Sequence, residues 1–269
     1  MKLLHWLMGK WRVLHMENSL EISNFSLVLS TLLLFIAIFV DYKEQLGLGK
    51  DILIAGVRVV IQLFIIGYVL GFVFQVDNNL LTLVMVLFIV FNASYNAHKT
   101  SEGIPNSFKV SAISISVGTA IALVILIFSG AIDWTPSQIV PITGMIAANA
   151  MTTIGVVYRS LTTQFNDRRQ QVQEKLALGA NPKQASQSIL RDSIQTGMSP
   201  SIERTKTVGL VSLPGMMSGL MFAGVDPTQA IRYQIVVMFM LISVTAISSF
   251  IASYMVYRSF YNEQMQLMI

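Results

Sequence analysis

Apolar residues in this chain fall in long unbroken runs rather than in the alternating or three-to-four spacing of half-buried elements. The runs cover about 24–41, 52–75, 80–97, 109–130, 138–158, 208–224 and 232–257. Each holds roughly 17 to 25 residues, enough for a helix rising 1.5 Å per residue to cross ~30 Å of hydrocarbon. With no water at that depth, backbone N–H and C=O groups must pair within their own segment, so the runs are expected to be helices. The pattern predicts an all-α, polytopic membrane protein with about seven transmembrane helices. The sixth run has a short uncharged core, and its helix is expected to begin farther back, toward Pro200.

Polar punctuation orients these spans. Segments 76–79, 131–137 and 225–231 carry no Lys or Arg, whereas the alternating ones carry Lys43 and Lys50, Lys99 and Lys109, a cluster from Arg159 to Lys206, and Arg258. The positive-inside rule then places the N-terminus outside and the C-terminus in the cytoplasm. Residues 1–22 strain that assignment, since Lys2, Lys10 and Arg12 lie outside; Leu4, Leu7, Met8, Trp11 and Leu14 at helical spacing suggest a basic amphipathic helix lying in the interface. His5, Lys10 and Arg12 interrupt the apolar core that a cleaved signal peptide needs. The expected organisation is this extension over 1–22, one transmembrane domain over 23–261 with a cytoplasmic loop at 159–207, and a cytoplasmic tail over 262–269.

Composition narrows the class further. The chain is 54% hydrophobic and 12% charged, with a mean hydropathy of +0.63, outside the range of ordinary soluble domains. The pI near 9.3 is a topology signal and not a nucleic-acid signature. The absence of Cys excludes disulfides and thiolate metal sites.

Loop 159–207 is too patterned for a connector. Val172, Leu176 and Ala177 give a sparse apolar stripe on a charged, Gln-rich helix that stops at Gly179. Asn181 reads as an N-cap and Pro182 as the first helical residue of a second helix, expected to reach about Thr196 and stop at Gly197. Ser199 and Pro200 repeat the device, with Glu203 near the start of a third helix, where it favours the dipole. The plainer alternative is a cap that only tidies helix ends.

Within the spans, the chemistry is sparse. Every Asp and Glu lies outside the apolar runs, with Asp41, Asp77, Asp133 and Asp226 at span ends; no proton relay is visible, and an external energy source is favoured. Carbonyl and hydroxyl sodium sites leave an ion-coupled secondary transporter as an alternative. Arg58 is the one charge well inside a span, about 10 Å from its cytoplasmic end. It either snorkels to the interface or lines a cytoplasmic vestibule with Gln62, one turn later.

Met145, Asn149 and Thr152 share a face of the fifth span. In the sixth, Pro214 precedes Met216 and Met217, and Ser212, Gly215, Gly219 and Ala223 are expected to form a small-residue face. These groups are either helix-to-helix packing or a translocation path offering amide, hydroxyl and thioether contacts. Thr245, Ser249 and Ser253 follow at i+4 spacing in the last span, where they back-bond or pack. No stable metal site is predicted: Fe(II) sites recruit His or carboxylate, His98 sits only at the end of the third span, and thioethers suit Cu(I) better. The "GLGKD" at 47–51 lacks the spacing and hydroxyl of a phosphate loop, so ATP hydrolysis is not expected from this chain.

The elbow resembles the coupling segment of ABC transporter permeases, commonly E-A-A-x-x-x-G-x(9)-I-x-L-P. Gly179 and Ile189 stand at the required spacing and Ala180 follows the glycine. Two departures are plain: Gln173 occupies the position six before the glycine, with Glu174 one place later, and Leu190-Arg191-Asp192 replaces x-L-P. Together with "PITGMIAANAMT" (141–152) and "KTVGLVSLPGMMSGLMFAGVDPTQAIRYQI" (206–235), the chain resembles the Fet-type (FetB-like) iron-export ABC permease family, whose relatives include plant aluminium-tolerance permeases, over about 24–261.

The resemblance implies a non-catalytic, multi-pass permease of a bacterial plasma or inner membrane that pairs with itself as a homodimer, sits in membrane lipid and takes no nucleic acid. It implies no cofactor on this chain, with ATP held by a separate cytoplasmic ATPase subunit whose cleft receives Glu174–Ala180. It also implies coupling roles for Gln173, Glu174, Gly179, Ala180, Asn181 and Pro182, and iron or another metal exported from the cytoplasm. A permease for a non-metal solute and a scaffold or sensor remain the other classes.

Overall fold

The computed structural model describes residues 23–101 and 103–268. Among them it is nearly all helical: α1 (Asn24–Glu44), α2 (Gly49–Val76), α3 (Asn79–Lys99), α4 (Ser107–Phe128), α5 (Pro136–Asp167), α6 (Arg169–Ala177), α7 (Pro182–Thr207), α8 (Gly215–Phe222) and α9 (Pro227–Val256), closed by a 3₁₀ turn at Tyr257–Phe260. Six segments are long and apolar enough to cross a membrane, namely α1 to α5 and the stretch Pro227–Phe260. The expected interfacial helix over 2–16 lies outside the described residues.

The chain divides into two compact units. The described part of the first comprises 23–76 and 218–227. Here α1 and α2 pair as a hairpin. Asp41 accepts the Leu48 N–H at 2.6 Å, which closes the turn, and a Cβ on Gly49 would come within 2.8 Å of that same carboxylate. At Gly56 a Cβ would fall 2.6 Å from Leu34 Cδ2, so the bare glycine sets how closely the helices approach. Most α2 side chains face outward and are apolar all round, as suits a helix bathed in hydrocarbon.

The second unit comprises 77–217 and 228–268, and α5 is its spine. Ile139, Ile142, Ile146, Ala150, Ile154, Val157, Leu161 and Phe165 are buried along it, against α3, α4 and α7. Small residues permit the tightest approaches. A Cβ on Gly118 of α4 would stand 3.1 Å from Ser248 Oγ of α9, and one on Gly155 of α5 would stand 3.2 Å from Thr100 Cγ2. A polar knot ties α3, α4 and α5: His98 Nδ1 and Ser101 Oγ each bond Ser107 Oγ, at 2.7 and 2.8 Å, and Tyr158 bonds Ser111 at 2.9 Å.

Three expectations are corrected. Residues 208–224 do not form one spanning helix. After α7 the chain turns, with Gly209 at φ +83° and its N–H donating to Ser212 O at 2.9 Å, before the eight-residue α8 begins. That helix rises only about 12 Å, against ~30 Å of hydrocarbon. A proline and three glycines from Gly209 to Gly219 outweigh the apolar composition on which the span was predicted.

Gly197 does not stop a helix either, because α7 runs unbroken through Gly197 and Pro200 to Thr207. A Cβ at Gly197 would lie 2.5 Å from Val157 Cγ2, so this glycine serves helix packing rather than chain reversal. The third helix thus does not exist separately, and Glu203 sits in the last turn of α7, paired with Lys206 at 2.9 Å. Finally, Ser212 lies in the turn, and a Cβ at Gly215 or Gly219 would meet no described atom within 4 Å. The predicted small-residue packing face over 212–223 is therefore not formed among the described residues.

The C-terminal residues fold back on themselves. Tyr261 and Leu267 form an antiparallel bridge, Asn262 N–H donates to Gln266 O at 2.9 Å and Met268 N–H to Phe260 O at 2.9 Å.

Candidate functional site

The elbow between α6 and α7 is built from caps. Gly179 takes φ +90°, its N–H donates to Leu176 O and the Ala180 N–H to Lys175 O, both at 3.0 Å. This double closure of the last carbonyls is a Schellman motif, and it requires a residue free of Cβ strain. Asn181 then starts α7 with a reciprocal pair: its Oδ1 accepts the Gln184 N–H at 2.9 Å, and Gln184 Oε1 accepts the Asn181 N–H at 3.0 Å. Each such cap contributes ~1 kcal/mol, and together they hold the turn rigid.

Inner-side packing fixes the elbow to the spans. Val172, Ala185 and Ile189 are buried, and Arg168, at the junction of α5 and α6, pairs with Asp192 of α7 at 2.7 Å. Gln173, Glu174, Gly179 and Asn181 are exposed and Ala180 and Pro182 half-buried, with Gln170 donating to Glu174 Oε1 at 2.9 Å. At the apex Leu178 is 88% exposed, an apolar side chain held out by a rigid turn. Sequence reasoning passed over Leu178 because, read as helix stripe, it looks like another core residue.

On α5, Met145 and Asn149 are half-buried and Thr152 exposed. Asn149 Nδ2 donates to Met145 O at 2.8 Å and Thr152 Oγ1 to Ala148 O at 2.9 Å, leaving their oxygens able to accept. A residue not expected at this face joins them: Arg204 of α7 donates from Nη1 to Asn149 Oδ1 at 3.4 Å. Nothing in the local sequence marks Arg204, since it is 55 positions from Asn149 and reads as one more cytoplasmic positive charge. Met216 packs against the core of this unit and Met217 is buried, whereas Pro214 lies in the turn ahead of α8.

Arg58 and Gln62 belong to the first unit. Both are exposed on α2 along a shallow groove they share with Leu53, Ile54, Val57 and Ile61. In the last span, Thr245 meets Ser201 Oγ at 3.1 Å and Ser249 donates to Ala246 O at 3.0 Å, while the Ser253 hydroxyl has no partner among the described residues. Among the described residues, no three His, Asp or Glu side chains gather as metal ligands would. Amide, hydroxyl and thioether groups spread along a helix face bind ions weakly, which suits passage more than storage.

A family model described as "Uncharacterised protein family (UPF0014)" matches residues 24–261. The chain is 53% identical over 252 residues to the "Probable iron export permease protein FetB" of Escherichia coli (strain K12), covering 94% of this chain and 97% of that one. It is 36% identical to the "UPF0014 membrane protein STAR2" of Oryza sativa subsp. japonica, over 89% of this chain and 84% of the relative. To the "Protein ALUMINUM SENSITIVE 3" of Arabidopsis thaliana it is 34% identical, over 86% and 85%. No solved structure matches. With a model spanning nearly all described residues and relatives aligned along most of their length, this multi-pass protein of the cell membrane belongs to the UPF0014 family.

Proposed function

We propose that the chain is the permease subunit of an ATP-driven transporter that carries iron or another metal out of the cytoplasm. The observation that carries this reading is the 53% identity to the "Probable iron export permease protein FetB" along almost the full length of both chains. The elbow supports it: a doubly capped turn presenting Leu178 is a rigid knob suited to a cleft on a separate ATPase subunit. Such a knob transmits rotation to α5 and α7 because Val172 and Ile189 are packed inside. The chain works as a homodimer, with the N-terminus outside, the C-terminus inside, and 208–224 crossing as a broken element. Irregular backbone is tolerated at membrane depth only where protein or a cavity covers it, which suits the turn at Gly209 to Pro214 to a place beside the path. Met145, Asn149 and Thr152, with Met216 and Met217, form that path within the second unit.

A second reading, a permease for an anionic non-metal solute, is favoured by one contact. Arg204 sets a positive charge beside Asn149, which repels bare cations and attracts anions. The test joins composition to transport. Full-length chain purified from its native membrane should bring down an ABC-type ATPase identifiable by mass spectrometry, and cells lacking the chain should accumulate the cargo metal on elemental analysis. No ATPase, or unchanged content of every metal, defeats the proposal; unchanged metals with an accumulated anion select the second reading.

A further inference from the structure

Beside the elbow, the C-terminal hairpin forms the opposite side of one groove. Gln173, Leu176 and Gly179 line it from the elbow, and Gln264, Met265 and Leu267 from the hairpin. The two sides are bolted together. Tyr261 Oη and Ser186 Oγ of α7 lie 2.6 Å apart. Phe260 stacks on Phe165 of α5 with ring centroids 4.4 Å apart, and Phe165 also meets the edge of Tyr261 at 6.2 Å. Burial raises the Tyr261 phenol above its ordinary value, outweighing the opposite pull of the Ser186 bond.

Outward, the hairpin shows the same chemistry as the elbow. Met265 is 61% and Met268 65% exposed, and Met265 lines the groove together with Gly179 and Ala180 of the elbow. Methionine adapts to an irregular apolar partner at small conformational cost. The exposed leucine at the apex of the elbow and the two exposed methionines of the hairpin sit on elements that border one groove, and apolar side chains gathered around a groove mark an interaction surface. Continuity across the shared groove assigns both halves to one partner.

We propose that the hairpin Tyr261–Met268 is the second wall of the ATPase seat, with Met265 and Met268 entering the same subunit that receives Leu178. This inference rests on the permease reading above. The braced hairpin contributes contact area and prevents the elbow from tilting when nucleotide-driven rotation loads it.

The absence of cysteine allows a direct test. Single-cysteine versions of the full-length chain, Leu178→Cys and Met265→Cys, are labelled with an environment-sensitive fluorophore in nanodiscs and titrated with the purified ATPase found by copurification. Both labels should shift to the blue, and a double Met265→Glu, Met268→Glu chain should bind the ATPase at least tenfold more weakly. A shift at Leu178 with none at Met265 overturns the inference and leaves the permease reading standing. The Met265 label decides this even where the charged double variant fails to fold. ATPase binding that is absent altogether removes both.

Discussion

At Gly179 a single dihedral angle decides whether the elbow exists. With φ +90°, any L-residue there costs about 1 to 2 kcal/mol, and a β-branched one more. Gly179→Val should therefore leave the chain inserted in the membrane but reduce copurification of the ATPase by roughly tenfold or more, as read on quantitative immunoblots; unchanged recovery would show that the elbow's shape is not what the partner reads. Arg204 is the residue to test on the path. Replacing it with Gln keeps a donor near Asn149 and removes the charge, and should shift the ratio of cationic to anionic cargo carried in vesicles by roughly fivefold, about 1 kcal/mol, the upper end for an exposed charge. An unchanged ratio would take Arg204 off the path. The motif residues Asn181 and Gly179 were legible in sequence because capping is local chemistry. Arg204 and Leu178 were not: one acts through a contact made only by folding, the other through exposure, which an apolar letter in a helical stripe conceals.

At the scale of elements, glycine carries two opposite meanings that spacing alone does not separate. Gly179 ends α6 because its backbone turns left-handed, while Gly197 lies inside α7 because Val157 occupies the space a side chain would need. Gly197→Ala should accordingly destabilise the protein by about 1 to 3 kcal/mol through overpacking. Gly144→Ala, where a Cβ meets no described atom within 4 Å, should be neutral or gain ~0.5 to 1 kcal/mol from helix propensity. Thermal unfolding in detergent compares the two, and equal shifts would contradict the packing assignment. The same ambiguity hid the break after α7. Hydropathy reports that 208–224 avoids water, but prolines and glycines, not hydropathy, decide whether the segment is one helix or a turn and α8. The spans α1 to α5 and Pro227–Phe260 were legible because no charge except Arg58 interrupts the middle of their apolar runs, and Pro141 is carried inside α5 without ending it.

For the whole molecule, the arrangement of Lys and Arg predicts sidedness, and the broken element 208–224 must still cross for that prediction to hold. Asp133→Cys should react from outside with a membrane-impermeant thiol reagent, and Gln171→Cys only after the membrane is opened. Both positions are exposed and no native cysteine competes. Labelling of both from one side would mean that 138–158 does not separate them. Energy supply is the larger question. No acidic group lies in the middle of an apolar run, and the elbow offers a rigid lever for a motor, so under the proposed function movement of cargo follows nucleotide and not an ion gradient. The deciding measurement is transport of iron into inside-out vesicles that hold the purified chain with its ATPase. The account predicts uptake that needs ATP, persists when proton and sodium gradients are collapsed, and vanishes with Gly179→Val. Uphill uptake by vesicles holding the chain alone, driven by an ion gradient, would contradict it.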